Sequence, residues 1–235
     1  MGKLRFRDRE DAGQQLGAEL RSYAKERPIV IAVPAGGVPV GFEVARALGA
    51  PLDVWVVKKI GVPWHPELGV GAIAEGGQLS ISRSLIDDIG LTGVELAQAT
   101  ETKRREVAEQ VKKLRSDRLR PVVRGRMVVL VDDGIDTGGT ILAAIEAIRA
   151  ENPKLIVLAV PVAPPNVLGQ LGARVDRLVC LHTPTDLHAI GLWYDDFPPV
   201  PDEYVVQLLE RARRSHPGAE LTGSHASANR PQLVR

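Results

Sequence analysis

One cysteine in 235 residues has no partner, so neither a disulfide framework nor a cysteine-based zinc site can organise this chain. That residue, Cys180, lies in the apolar run DRLVCLH, where a thiol reads as a small buried hydrophobe rather than a nucleophile. Surplus charge is also missing. Thirty Lys plus Arg stand against 29 Asp plus Glu, a formal net charge of +1, which argues against the broad basic field that a nucleic acid or an anionic membrane would select. No stretch approaches the ~20 consecutive apolar residues of a membrane span. The opening MGKLRFRDREDAG lacks the apolar core of a signal peptide, so a cytoplasmic location is expected. Aromatic residues make up only 4% of the chain, and three of them fall close together at Trp193, Tyr194 and Phe197.

What the chain does have is 44% hydrophobic residues in many short runs, enough for one sizeable core. Asp8 is placed to cap a helix with Ala12, Leu16, Leu20 and Tyr23 on one face. PIVIAV (28–33) reads as a buried strand, GGVPVGFEVARALG as a helix closed by Gly49, and LDVWVV (52–57) as a second strand. Residues 58–82 are rich in Gly and Pro, with short strands expected at GAIA and LSIS. Thr92 and Glu95 form a capping box that opens a helix to about Ser116, with Val107, Val111 and Leu114 on its apolar stripe. MVVLV (127–131), KLIVLAV (154–160) and DRLVCL (176–181) complete the strands, with a helix over about 140–150. Apolar, β-branched strands alternating with helices imply an α/β fold, a mostly parallel sheet covered on both faces. Ligands in such sheets sit at the carboxyl ends of strands. No internal repeat is visible. Residues 1–215 read as one domain, with a flap over about 182–212, and the polar, aperiodic tail 216–235 reads as disordered.

The run MVVLVDDGIDTGGTILAAI (127–145) carries the strongest chemical signal. Two adjacent acids after an apolar strand are costly to bury, so Asp132 and Asp133 belong at an open strand end that faces a ligand. By strand alternation they would point to opposite faces. The turn that follows supplies Gly138 and Gly139, which let the backbone approach a ligand, and the hydroxyls of Thr137 and Thr140. Set before a helix, it can aim several backbone N–H groups at one anion without a lysine. Neither a Walker A loop nor a G-x-G-x-x-G strand turn is present. A phosphate cradle beside paired carboxylates suggests a sugar phosphate.

VVLVDDGIDTGGT resembles the signature of the type I phosphoribosyltransferases, an apolar strand leading to two acids and a T-G-x-T phosphate loop. The resemblance extends loosely over about residues 8–212. It implies the type I fold, a C-terminal hood, homodimer formation, and transfer of a phosphoribosyl group from 5-phosphoribosyl 1-diphosphate (PRPP) to a nitrogen acceptor with Mg²⁺ on the leaving diphosphate. By this resemblance Asp132 and Asp133 orient the ribose hydroxyls, and Asp136 with Thr137, Gly138, Gly139 and Thr140 holds the 5′-phosphate. Asp136 also lies where purine-salvage members place a general base, although a loop-capping role fits the same position. Ala35, Gly36 and Gly37 map onto the diphosphate loop, without the Arg or Lys that many members carry at Ala35. Lys58 and Lys59 map onto a diphosphate-binding pair, or are solvated lysines at a strand end.

The segment HAIGLWYDDF (188–197) is similar to the hood of hypoxanthine-guanine-type members. Gly191 then matches the hood glycine and Asp195 an acid that contacts a second Mg²⁺. His188, with Ala189 beside it, stands where an aromatic stacks on the purine, and VLAVPVAPP (157–165) lacks the lysine that reads a 6-oxo group. Trp193 and Tyr194 either stack on an acceptor or anchor the flap. Together with GVPWHPELGVGAIAEGG, the WYxDF hood is closest to little-characterised bacterial phosphoribosyltransferases, a resemblance that names no acceptor. His65 reads as a loop residue, and the basic stretch KKLRSDRLRPVVRGR (112–126) as mostly a solvated helix end and loop, or as the source of an Arg that reaches the diphosphate across a subunit boundary. Three functions stay open: a transferase acting on a nucleobase or related amine, a non-catalytic sensor of PRPP or nucleotides, and a hydrolase of phosphoribosyl compounds.

Overall fold

Asp8 caps the first helix as its position predicts: its Oδ1 accepts a 2.7 Å hydrogen bond from the Asp11 amide. The computed structural model describes residues 5–62, 64–116, 118 and 120–216, so the tail expected to be disordered lies, beyond His216, outside the described residues. In chain order, α1 (Arg9–Leu20) runs into a 3₁₀ turn (Arg21–Glu26), followed by β1 (Ile29–Ala32), α2 (Gly37–Leu48) and β2 (Leu52–Val54). Next come β3 (Val57–Val62), β4 (His65–Ala74), β5 (Leu79–Ile81), α3 (Arg83–Ile89) and α4 (Gly93–Arg115). The chain then alternates through β6 (Met127–Val131), α5 (Gly139–Ala150), β7 (Leu155–Val162), α6 (Pro165–Gly172) and β8 (Arg177–His182), and ends with a 3₁₀ turn (Ile190–Trp193) and α7 (Asp202–Ser215).

Five strands form a parallel sheet in the order β2-β1-β6-β7-β8. Its central strands are apolar at every position because helices cover both faces. The two-residue period sorts them: Val30, Ala32, Val129 and Val131 join the core cluster that takes in α2 and α7, while Ile29, Ile31, Val128 and Leu130 join the one that takes in α5 and α6. Cys180 is part-buried at the edge of the second cluster, and burial pushes its thiol up to about 11, so it stays protonated at neutral pH.

LDVWVV forms two strands rather than one. β2 stops at Val54, the Trp55 amide donates to Ala32 O (3.1 Å), and Val57 opens an antiparallel sheet ordered β3-β4-β5. The flap is also shorter than 182–212. Helix α7 buries Val205, Leu208, Leu209 and Ala212 in the main core, so the segment over the cleft is about 183–201. Among the described residues no helix is long and apolar enough to cross a membrane.

The capping box forms as expected: the Thr92 amide donates to Glu95 Oε2 (2.9 Å) and the Glu95 amide to Thr92 Oγ1 (3.3 Å). At the other end of α4 the sequence misleads. Arg115, within the stretch read as solvated, is 1% exposed. Its Nε donates to Asp53 Oδ1 at 2.8 Å, and its two Nη groups donate to Glu75 and to the Val54 carbonyl. One planar fork thus joins α4, the end of β2 and the turn after β4, tying the two sheets together.

Arg115→Ala would leave Asp53 and Glu75 as buried carboxylates without their shared cation. Urea unfolding at pH 7 should show a loss of about 3–5 kcal/mol, the usual cost of breaking a buried pair from one side. Arg7→Ala removes an exposed pair with Asp11 and should cost no more than about 1 kcal/mol. Equal effects of the two substitutions would refute this account of the junction.

Candidate functional site

Strand order places the site. From β1 the chain moves to β2 on one side, while β6 lies on the other, so the loops after β1 and β6 diverge at a topological switch point. A cleft of about 580 Å³ opens there, walled by the loops after β1 and β6, the first turn of α5 and the flap. This volume suits a small molecule.

Strand β6 ends at Val131, so strand alternation no longer governs the two acids that follow. Asp132 and Asp133 line the same cleft, contrary to the expectation of opposite faces. Asp132 Oδ1 accepts from the Asp133 amide (2.9 Å), and Asp133 Oδ2 accepts from Arg9 Nε (2.8 Å). The glycines of the β1 loop make room for the pair. A Cβ on Gly36 would collide with the Asp133 carboxylate, and one on Gly37 would lie 2.9 Å from Asp132 Cα. Desolvation, then the neighbouring Asp133 charge, holds the Asp132 carboxyl well above the usual carboxylate range. Desolvation raises Asp133 as well, with the Arg9 guanidinium opposing the shift.

The turn after the acids leads directly into α5. Gly138 has φ 80°, a conformation that favours glycine, and precedes the first residue of α5. The first bond within the helix is Leu142 N to Gly138 O (2.8 Å). The amides of Gly139, Thr140 and Ile141 are therefore those that a helix start leaves without an intrahelical acceptor. Asp136, Thr137, Gly138, Gly139 and Thr140 all line the cleft, and a Cβ on Gly139 would meet nothing within 4 Å. Together these groups can hold an anion by backbone amides and hydroxyls, with paired carboxylates alongside to accept hydroxyl donors.

Other expected residues are placed elsewhere. Of the diphosphate loop only Gly36 lines the cleft; Ala35 packs against the core and Gly37 against Asp132. Lys58 and Lys59 stand on β3, outside the cleft lining, because the chain leaves the main sheet at Trp55. The flap contributes Ala189, Ile190, Gly191 and Phe197. His188 is exposed, with Nε2 3.1 Å from Asp186, and lies outside the lining. Trp193 stacks on His182 (centroids 5.5 Å apart), while Tyr194 packs between Phe6 and Phe197 and donates its hydroxyl to Asp133 O (2.6 Å). Both aromatics thus anchor the flap. Asp195 is exposed, its amide donating to Phe6 O (2.8 Å), and it does not line the cleft. His65 is exposed at the start of β4, and among the described residues no group of three or more His, Cys, Asp or Glu is placed to hold a metal. Sequence reasoning missed Arg9, the one cation lining the cleft among the described residues. It sits 124 positions before Asp133, and no local pattern marks it.

Residues 7–190 match the family model of the phosphoribosyl transferase domain. Over 231 residues, 96% of the chain, the sequence is 40% identical to a Mycobacterium tuberculosis H37Rv protein whose curated name gives it provisionally as a phosphoribosyl transferase. The chain spans about half the length of that relative (51%). The crystal structure of TT1426 from Thermus thermophilus aligns with a TM-score of 0.77 at 39% identity, covering 88% of this chain and 98% of that one.

The electrostatics of Asp132 give a sign that can be tested. With its folded-state pKa raised, the native protein binds more protons than the unfolded chain at pH values above the usual carboxylate range near 4. Stability therefore falls as pH rises through that window, and the penalty is complete once Asp132 ionises. Asp132→Asn keeps an oxygen for the Asp133 amide and removes the charge. Its Tm at pH 7.5 should exceed that of the wild type, each ~1 kcal/mol of relieved cost showing as about 2–4 °C in a domain of this size, and the difference should close near pH 4. An unchanged or lower Tm at pH 7.5 would contradict the assignment.

Proposed function

The chain belongs to the phosphoribosyl transferase family, with the type I fold, and from that premise we propose that it transfers the 5-phosphoribosyl group of PRPP to a nitrogen of a nucleobase or related small amine, releasing diphosphate. The observation that carries this reading is the juxtaposition, in one small cleft, of two desolvated acids and a lysine-free anion cradle. The 5′-phosphate occupies the cradle of residues 136–140. The ribose hydroxyls donate to Asp132 and Asp133, replacing the hydration that burial removes and lowering the cost of two adjacent charges. The backbone of the β1 loop at Gly36, which lines the cleft, is the proposed contact for the diphosphate.

In the reaction the bond from C1 of the ribose to the diphosphate oxygen breaks, a C1–N bond forms, and the acceptor nitrogen gives up its proton. Asp136 lines the cleft and is the proposed base. Charge develops on the departing diphosphate and the sugar becomes cationic, so the carboxylates beneath the ribose stabilise the sugar more strongly in the transition state than in the ground state. Mg²⁺ fits this donor set. The ion is usually held by one or two carboxylates plus substrate phosphates, which suits a cleft with paired carboxylates and no three-ligand cage among the described residues. Asp132 and Asp133 are the carboxylates that would face it. Bound there, the ion would neutralise charge on the leaving diphosphate.

The test is diphosphate release from PRPP and Mg²⁺ across a panel of nucleobases and small amines, with an acceptor-free control. Acceptor-dependent release is expected for at least one compound; release at the same rate with and without every acceptor would make water the acceptor. Asp136→Asn should keep PRPP affinity and lower turnover about 10²–10⁴-fold, and wild-type turnover would reduce Asp136 to loop structure.

Gly139→Val offers a cleaner test of the cradle. The protein leaves open space for the new side chain, so Tm should hold, while the branched carbon enters the volume assigned to phosphate. Calorimetry should show ribose 5-phosphate binding abolished; unchanged affinity would move the cradle elsewhere.

A further inference from the structure

We infer that Arg9 is a positioning residue that fixes Asp133 and the flap as one unit, so that the ribose-binding acid and the outer wall of the cleft are set together. The inference rests on reading the cleft as a phosphoribosyl site. Arg9 stands in the first turn of α1, and its side chain is only 10% exposed. Three parts of its guanidinium are used at once. Nε donates to Asp133 Oδ2 (2.8 Å), Nη1 donates to the Pro198 carbonyl (2.7 Å), and the guanidinium carbon lies 3.7 Å from the centroid of the Phe197 ring. A planar fork can bond two acceptors and stack on a ring in this way; the point charge of a lysine cannot.

The surroundings show why a link at this point matters. The residues just before Arg9 hold the flap through the backbone: Phe6 N donates to Trp193 O (2.9 Å), Asp195 N to Phe6 O (2.8 Å) and Asp196 N to Arg7 O (2.9 Å). From the flap, Tyr194 reaches the Asp133 carbonyl, and Ile190 packs so closely on Gly134 that a Cβ there would collide with it. Phe197, the ring beneath the guanidinium, lines the cleft and lies 3.0 Å from where a Gly191 Cβ would project. The flap thus approaches Asp133 at its carbonyl, at its next neighbour and, through Arg9, at its carboxylate. Only the last contact can orient the carboxylate. Without it, Asp133 would be a buried acid with no cation beside it, held only by Asp132 and its own backbone amide.

Ribose 5-phosphate and inorganic phosphate separate this role from a general effect on folding, because inorganic phosphate needs the cradle and not the acids. Titration of wild type, Arg9→Lys, Arg9→Met and the exterior control Arg7→Met should show ribose 5-phosphate affinity falling roughly 10- to 100-fold in Arg9→Met, the range for losing a charged hydrogen bond. Arg9→Lys should lose less, Arg7→Met should match wild type, and inorganic phosphate affinity should change less than about twofold throughout. Hydrogen exchange over residues 190–198 should quicken in Arg9→Met. Wild-type affinity for ribose 5-phosphate in Arg9→Met, or parallel loss of both ligands, would overturn the inference while leaving the cleft's assignment intact. Absence of ribose 5-phosphate binding by the wild type would instead overturn that assignment, and this inference with it. If Arg9→Met does not fold, Arg9→Lys carries the test, and a lysine variant with no split between the two ligands would refute the role.

Discussion

Two carboxylates held side by side at the end of a buried strand oppose each other and resent the loss of water, and much of this protein is arranged around that cost. The parallel sheet brings Asp132 and Asp133 to the switch point. Gly36 and Gly37 give up their side chains so that the pair can sit against the neighbouring loop. Arg9 offsets part of the charge at Asp133, whereas its effect on Asp132 is the weakest of the influences there, and that carboxyl remains raised. Raised carboxyls that line a cleft mark a candidate binding site.

Arg115 shows the contrasting solution. There one arginine meets two carboxylates and a carbonyl in full burial, with Arg213 of α7 within 3.9 Å of Asp53 as a further cation. Two cations meet two carboxylates, although Nη1 of Arg213 is buried without a hydrogen-bond partner, and the cluster acts as a junction between the two sheets. The acid pair lines the cleft of about 580 Å³ at the switch point, whereas of the Arg115 cluster only Glu75 lines a cavity, a separate one of about 240 Å³. All three nitrogens of the Arg115 guanidinium are engaged, whereas desolvation leaves the Asp132 carboxyl raised.

Local pattern made most elements readable. The caps at Asp8 and Thr92, the β-branched runs of β1, β6 and β7, and the Gly-rich turn before α5 each have a cause within a few residues. That residues 136–140 line the cleft was readable for the same reason, since they are contiguous. What escaped the sequence depends on distance along the chain. A six-residue apolar run does not reveal that β2 must hand over to a second sheet at Trp55. A basic stretch does not reveal that Arg115 turns inward, because its partners lie 62 and 40 positions away. The assignments of Lys58 and Lys59 rest on resemblance to a strand end and that of Asp195 on its spacing to the hood glycine, and none of the three lines the cleft, because the chain leaves the main sheet at Trp55 and Asp195 is exposed. Arg9 escaped for the opposite reason: a remote residue entered a site whose local sequence gave no sign that a cation was required.

The central claim is that a single ligand spans the acid pair and the glycine turn. A crystal structure of the wild-type protein with ribose 5-phosphate tests it most directly. The account predicts the phosphate on the amides and hydroxyls of residues 137–140 and the ribose hydroxyls on Asp132 and Asp133. A phosphate seated elsewhere, for instance beside Lys58 and Lys59 on β3, or a ribose turned away from both acids, would contradict it.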